Sequence, residues 1–521
     1  MNVESTDRLH AEDLPGVAKG AAFTLVCQFL DKALGFVFAI LASHLIGLEN
    51  FGIYNICVSV TYLAATVAMA GLSEGLVREG SVLYDRGEWG RFAGLRRFVI
   101  AFPLAFSLGL GLLVCLMAPL IARQLLHDPD LAWAVRVTAA AIPFFALTII
   151  LVQLAAALRV VRYFALIKLF SEPFLKVVFF LALFWAGWRL GAITGGFLAT
   201  MAACFLLALL MVGRLLRKLP KATPEPVEHR RLLAFSIPLL GPMLLSNVLV
   251  WTDILLLGKF VEDKAAVGLL SIALKIMLIP EVIPKAFIIP ATPRLASMLG
   301  SGRWDDLVAF YRAVGRWVFS LAFPFYLFLM VRADLSLRIL SPEFERGAHF
   351  LAVLCAGPLV VSILGPSDAF LSMAGRSRLQ LFNALFAFVL NVIANLWLLP
   401  HHGVNAVAWV LSGTLVVYGS LTAVEIVVLY RFFPVTPRVL TTLPALVPAV
   451  AGLLWLKAHP LTAQPHLEFG LEATLLFSFY ALLLFLLGMD RADRKVLFDM
   501  FGRIREHARE MRRPPEKRSF L

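Results

Sequence analysis

Runs of about 20 mostly apolar residues recur along this chain, and each is long enough to cross a bilayer as a helix. Fourteen are readable, at about 17–46, 51–73, 98–121, 131–157, 163–186, 190–213, 232–258, 265–290, 313–332, 347–373, 379–399, 404–430, 438–457 and 468–488. The connections are short and polar, and none is large enough to hold a folded catalytic domain. A hydrophobic content of 60% with only 16% charged residues leaves too little polar surface for a soluble globule of 521 residues. The expectation is an all-α polytopic membrane protein with fourteen transmembrane helices. Disordered chains, disulfide-built secreted modules and soluble multidomain enzymes are excluded.

The net charge of +13 would suggest nucleic acid in a soluble protein. Here the basic residues flank the apolar runs, where they set topology. With a cytoplasmic N-terminus, 33 of the 47 Lys and Arg residues fall on the cytoplasmic side, 8 on the other and 6 within spans. That imbalance predicts both termini inside, as an even helix count requires. The first sixteen residues are polar and acidic, and no cleavable signal peptide is expected. The five cysteines lie in apolar runs without a CxxC, and read as small buried hydrophobes.

The chain repeats. Gly52 and Gly268 are separated by the same interval as Arg78 and Arg294, Arg162 and Arg378, and Phe170 and Phe386. Gly87-Glu88-Trp89 returns as Gly302-Arg303-Trp304, and Ala101-Phe102-Pro103 as Ala322-Phe323-Pro324. Pro143 returns as Pro358, and Ala199-Thr200 as Gly413-Thr414. A repeat of six helices keeps the same orientation in both copies, so it is a parallel repeat about an axis along the membrane normal. The expected division is a cytoplasmic segment 1–16, an N-lobe 17–213, a linker 214–231 and a C-lobe 232–430. Two further helices over 431–488 and a basic tail over 489–521 follow.

The segment Leu45-Ile46-Gly47-Leu48-Glu49-Asn50-Phe51-Gly52-Ile53-Tyr54, with Gly71-Leu72 and Gly87-Glu88-Trp89, resembles the opening helices of the bacterial oligosaccharide flippases, the Wzx-type polysaccharide biosynthesis proteins. The Gly375-Arg376 turn is similar to that family as well. Its superfamily also holds the lipid II flippases and the MATE drug exporters. The resemblance covers the twelve-helix body and implies two pseudo-symmetric six-helix lobes plus two C-terminal helices. The Arg-rich first helix expected of a lipid II flippase is absent; that helix carries only Asp31 and Lys32. The resemblance implies a bacterial cytoplasmic-membrane flippase for a lipid-linked oligosaccharide, and no enzyme.

GxxxxGK[ST] and HExxH motifs are absent, so an ATP-driven pump is not expected, and no cofactor is implied. Charges within spans cost about 2.5–3.5 kcal/mol each on insertion scales and need a reason. The cations are Lys32, Arg136, Lys168, Lys176, Lys275 and Lys285; the anions are Asp31, Glu172, Asp253, Glu281, Asp368 and Glu425. Lys168, Glu172 and Lys176 follow i, i+4, i+8 spacing, and Glu281 and Lys285 make another i, i+4 pair. These pairs either satisfy each other or line a water-filled cavity between the lobes.

In the second case the cations are candidates for holding a diphosphate. Arg does so by paired hydrogen bonds and Lys as a point charge. Asn247 is a candidate for hydrogen-bonding the sugars or for helix–helix glue. Asn383, Asn391 and Asn395 can bind sugar hydroxyls or serve as helix–helix glue. Asp31, Glu172, Asp253, Glu281 and Asp368 are candidates for coupling transport to protons or sodium. Pro238, Pro242, Pro280, Pro284, Pro290 and Pro293 kink helices 7 and 8, either as fixed bends or as the moving parts of alternating access. After Gly488, Val496, Leu497, Met500, Phe501 and Ile504 recur at helical spacing among arginines, which reads as an amphipathic helix on anionic lipid. Expected partners are membrane lipids and the lipid-linked substrate, with a polymerase or glycosyltransferases as further candidates and no nucleic acid. A MATE-like drug exporter and a membrane polymerase or ligase are the competing classes.

Overall fold

The protein is described from a computed structural model that covers residues 26–226 except 70, 161 and 221, then 236, 248–435, and 443–484 except 460, 461 and 463. Asn247, Pro238, Pro242, the N-terminal segment and the basic tail lie outside the described residues. The described residues are helical, without strands, and ten of their helices are long and apolar enough to cross a membrane.

The first half contains α1 (Val26–Ile46), α2 (Leu48–Met69), α3 (Leu72–Asp85), α4 (Trp89–Ile121), α5 (Ala132–Ala139), α6 (Ile142–Ala157), α7 (Glu172–Trp185) and α8 (Leu190–Leu216). The second contains α9 (Leu249–Phe260), α10 (Lys264–Met277), α11 (Val282–Gly300), α12 (Trp304–Val331), α13 (Ala348–Ile363), α14 (Ser367–Met373), α15 (Ser377–His402) and α16 (Val404–Tyr430). Then come α17 (Leu443–Ala458) and α18 (Pro465–Leu483). Within the first half α4, α6 and α8 pack together, with α7 on α8; within the second, α12, α13, α15 and α16 do the same. The halves meet where α2 lies against α9 and α10. A single apolar core runs through that junction, from Phe38, Phe51 and Tyr54 to Leu249, Leu270 and Leu354.

The internal repeat is visible in the backbone. Positive φ occurs at Gly87 (69°) and Gly302 (70°), each followed by a Trp that opens a long helix. It recurs at Arg159 (65°) and Gly375 (72°), and again at Gly187 (91°) and Gly403 (56°), both pairs at the interval that separates Gly52 from Gly268. Only glycine adopts this conformation freely, so Arg159 holds a strained turn that its repeat partner meets with Gly375.

Several spans differ from their sequence-based bounds. The helix expected at 98–121 begins at Trp89, because residues 89–97 continue it as an amphipathic extension. The span at 131–157 divides at Ala140–Ala141, just before Pro143, and the span at 347–373 divides at the Gly365-Pro366 pair. The span at 265–290 breaks between Leu278 and Glu281, around Pro280. A π turn over Ala165–Ser171 runs directly into Glu172-Pro173. Proline cannot donate to the carbonyl one turn back, and π insertions in helices frequently mark functional sites.

The two C-terminal helices are fixed to α12. Arg332, at the end of α12, reaches Glu468 at 2.9 Å and Glu472 at 3.0 Å, both on α18, and Arg338 reaches Glu468 at 3.3 Å. Tyr480 donates to the Ser320 carbonyl at 2.9 Å, and the Phe325 and Phe477 rings lie 4.2 Å apart.

Close packing in the second half depends on Gly357 of α13. A Cβ there would stand 2.9 Å from both the Cα and the carbonyl oxygen of Ser412 on α16. Gly357→Ala is therefore expected to lower stability by about 1–3 kcal/mol, the usual penalty for overpacking. Thermal unfolding in detergent, compared with Gly213→Ala at an open position, checks this.

Candidate functional site

A cavity of about 260 Å³ lies at the junction of the two halves, walled by α1, α2, α7, α9 and α10. The first turns of α2 and α10 close one end of it. From α1 come Asp31 and Lys32, from α7 Glu172 and Lys176, and from α10 Ser271 and Lys275. From α2 come Tyr54, Asn55, Ser59 and Tyr62, and from α9 Trp251.

The π turn and the following helix set the charged wall. Lys168 and Lys176 both pair with Glu172, Lys176 at 3.8 Å, and Tyr62 donates to Glu172 at 3.4 Å. Three further rings pack around this group. The Lys168 ammonium stands 4.4 Å from the Phe145 ring centre, and that of Lys176 5.8 Å from Phe197 and 5.9 Å from Phe38. Cations over ring faces are attracted by the ring quadrupole. Tyr62 also packs against Trp251, with ring centres 5.1 Å apart, so an aromatic wall adjoins the charged one.

Lys32 and Lys275 make no ion pair among the described residues, and both line the cavity. The lining carries three cations, Lys32, Lys176 and Lys275, against two anions, Asp31 and Glu172. An ammonium without a carboxylate partner in a wet cavity is a site for an anionic group, and each one present lowers the cost of bringing in another negative charge. Asn55, Ser59 and Ser271 add neutral hydrogen-bonding groups.

The remaining sequence candidates sit elsewhere. Lys168 lies behind the lining, joined to it through Glu172. Arg136 is exposed on α5, away from the cavity lining. Glu281 and Lys285 pair with each other at 3.1 Å beyond the break after α10, both partly exposed. Asp253 is fully buried between α9 and α15, where Asn395 donates to it at 2.8 Å and to Asn391 at 3.2 Å. Asp368 accepts from Gln380 at 2.8 Å and from Tyr418 at 2.5 Å, and Asn383 donates to Glu425 at 2.8 Å. These acidic groups accept hydrogen bonds from amides and a phenol inside the second half, and Asp253 Oδ2 is buried without a hydrogen-bond partner among the described residues. Asp31 and Lys32 are neighbours in sequence and both border the cavity, although about 100° of helix rotation separates them.

Sequence reasoning weighted charge and passed over the α2 and α9 walls. A signal for the first was present: Asn55, Ser59 and Tyr62 recur at i, i+4 and i+7, a polar stripe on one face of an otherwise apolar helix. No pattern marked Trp251. Among the described residues no group of His, Cys, Asp and Glu is arranged to hold a metal ion.

Three solved structures share this fold at low identity. The lipid II flippase MurJ, in an inward closed conformation, aligns over 88% of this chain and 97% of its own, with a TM-score of 0.71 and 14% identity. An inward-facing multidrug resistance MATE family transporter of the MOP superfamily aligns over 78% of this chain and 96% of its own, with a TM-score of 0.57 and 14% identity. A Vibrio cholerae MATE transporter aligns over 80% and 98%, with a TM-score of 0.56 and 15% identity. No curated protein sequence matches the chain. The MatE family profile matches residues 238–397. The polysaccharide biosynthesis protein profile matches residues 17–298, more than half of the chain and the whole of the cavity wall, and the chain is thus a polytopic membrane transporter of the polysaccharide biosynthesis protein family.

Proposed function

We propose that this protein moves a polyprenyl-diphosphate-linked oligosaccharide from the inner to the outer leaflet of a bacterial cytoplasmic membrane by alternating access. Cell-surface polysaccharide, such as lipopolysaccharide O-antigen or exopolysaccharide, would be the product of the pathway it serves. The observation that carries the reading is the presence of two ammonium groups without an ion pair among the described residues, Lys32 and Lys275, on the wall of a cavity between the halves. The polyprenyl tail can remain in lipid, while the diphosphate and sugars cannot cross about 30 Å of hydrocarbon alone. Lys32, Lys176 and Lys275 offset the penalty on the diphosphate. Asn55, Ser59 and Ser271 offer hydrogen bonds to sugar hydroxyls. In this reading both termini are cytoplasmic, and the turn between α1 and α2 faces outward.

Depletion of the protein is expected to leave complete oligosaccharide units on polyprenyl diphosphate facing the cytoplasm, read by mass spectrometry of extracted lipids. Lys275→Glu is expected to slow export about thirtyfold, equivalent to ~2 kcal/mol. Unchanged export by a folded Lys275→Glu protein removes Lys275 from the site. Accumulation of units that already face outward overturns the flippase reading in favour of a polymerase or ligase step.

A proton- or sodium-coupled drug exporter is the second reading. Asp31 favours it, as a carboxylate in the cavity without an ion-pair partner among the described residues. Its expected signature is an unchanged lipid pool with raised sensitivity to cationic drugs. In either reading Asp253, Glu172 and Asp368 are the further carboxylates able to couple ion movement to the lobes.

A further inference from the structure

The end of the cavity beside the start of α2 is closed by contact between backbones. A Cβ on Gly52 would overlap the carbonyl oxygen of Lys264, and one on Gly268 would fall 2.5 Å from that of Leu48. Leu48 and Gly52 are the repeat counterparts of Lys264 and Gly268, so each half presents the same carbonyl and the same glycine to the other. Close approach of this kind is what small residues permit between membrane helices. The cavity begins beside this crossing, at Phe51, Tyr54 and Asn55 on one helix and Ser271 on the other.

The two copies differ in one respect. Where the first has Leu48, the second has Lys264, and its buried side chain turns into the junction. Its ammonium lies 3.0 Å from the Gly258 carbonyl and 2.8 Å from that of Val261, both in its own half. It lies 3.0 Å from the Leu125 carbonyl and 3.0 Å from His127 Nδ1, both in the other half. Three N–H donors thus serve four acceptors. Leu125 and Gly258 are at the C-terminal ends of helical segments, where free carbonyls and the helix dipole favour a cation. No carboxylate pairs with this ammonium among the described residues, so release of Lys264 strands no buried anion. The carbonyls it leaves are at the end of the bundle, where water can replace it.

We propose that the Gly52–Gly268 crossing is the outward gate of this transporter, and that Lys264 is the positioning residue that latches it shut by bridging the two halves. The inference rests on the alternating-access reading above. Closure requires the two glycines, and opening requires the ammonium to leave its cage. Because the N-terminal copy carries Leu48, the latch belongs to one half only.

The test uses the full-length chain with its five cysteines replaced by alanine and Asn55→Cys as a reporter inside the gate. A membrane-impermeant maleimide is added outside intact cells. Lys264→Met keeps the length of the side chain and removes every latch hydrogen bond; it is expected to raise the labelling rate about tenfold or more, the effect of a ~1.4 kcal/mol shift between closed and open states. Gly268→Ala is expected to do the same by blocking closure, and Gly213→Ala, where a Cβ meets nothing, leaves the rate unchanged. Labelling of Lys264→Met at the parent rate, in protein with the parent's melting temperature and elution profile, overturns the proposal. Should Lys264→Met fail to fold, Lys264→Gln, a shorter side chain unable to reach all four acceptors, is read in the same way. The assay reads accessibility of the reporter and not export, so its failure is separate from failure of the cargo assignment, which the lipid analysis reads.

Discussion

Glu172→Leu is expected to destabilise the protein by about 3–5 kcal/mol, enough to lower the melting temperature in detergent sharply. Glu172 is the one carboxylate between Lys168 and Lys176, and all three side chains are largely buried. Removing it leaves two ammonium groups in a ring-lined wall beside Tyr62 and the aromatic faces, with Asp31 on the same cavity as the one acidic group near Lys176 among the described residues. Buried charges that lose their partner pay the full desolvation penalty, whereas exchange of a whole buried ion group for apolar residues is often neutral. The triple variant Lys168→Met/Glu172→Leu/Lys176→Met should therefore recover most of the lost stability. Its export activity then separates two roles of the wall. Recovery of folding without export places these charges in transport, and recovery of both makes them purely structural.

The second large effect lies at the junction with the C-terminal helices. Arg332 is 3% exposed and faces Glu468 and Glu472, themselves 3% and 0% exposed at the side chain. Among the described residues, Arg332→Met would leave Glu472 without an ion-pair partner and Glu468 with Arg338 alone. A loss of about 3–5 kcal/mol is expected. Much of it should appear locally, as faster amide hydrogen exchange along α18 (Pro465–Leu483), while α4 and α6 in the other half keep their protection. The companion variant Arg332→Met/Glu468→Gln/Glu472→Leu is expected to restore the melting temperature. If α18 exchanges no faster in Arg332→Met, the aromatic contacts of Phe477 and the Tyr480 hydrogen bond hold the helix without the ion group.

The membrane class, the run of spans and the parallel repeat were readable residue by residue, because the bilayer penalises each polar side chain separately and a duplicated helix keeps its spacing. The interval read from the sequence recurs in the backbone at turns that the residue pattern had not singled out, Arg159 with Gly375 and Gly187 with Gly403. The triad of Lys168, Glu172 and Lys176 was likewise legible, since i, i+4 spacing places neighbours on one face whatever surrounds the helix.

Which charges share a cavity was decided only in three dimensions. Arg136 and Lys275 looked alike as lone cations within spans, yet one is exposed on α5 and the other lines the junction. The difference lies in the rotation of each helix about its axis, and that rotation is set by packing partners far away in the chain. Helix breaks add to it: the π turn before Pro173 and the gap around Pro280 each reset the face that the next charge occupies. Lys264 shows the limit most plainly. In the sequence it is a basic residue at the mouth of a span, counted toward topology. In the fold its ammonium is held by carbonyls from both halves. Backbone carbonyls have no side-chain signature, so a site built from them is invisible to residue pattern and appears only when the helices that carry them are brought together.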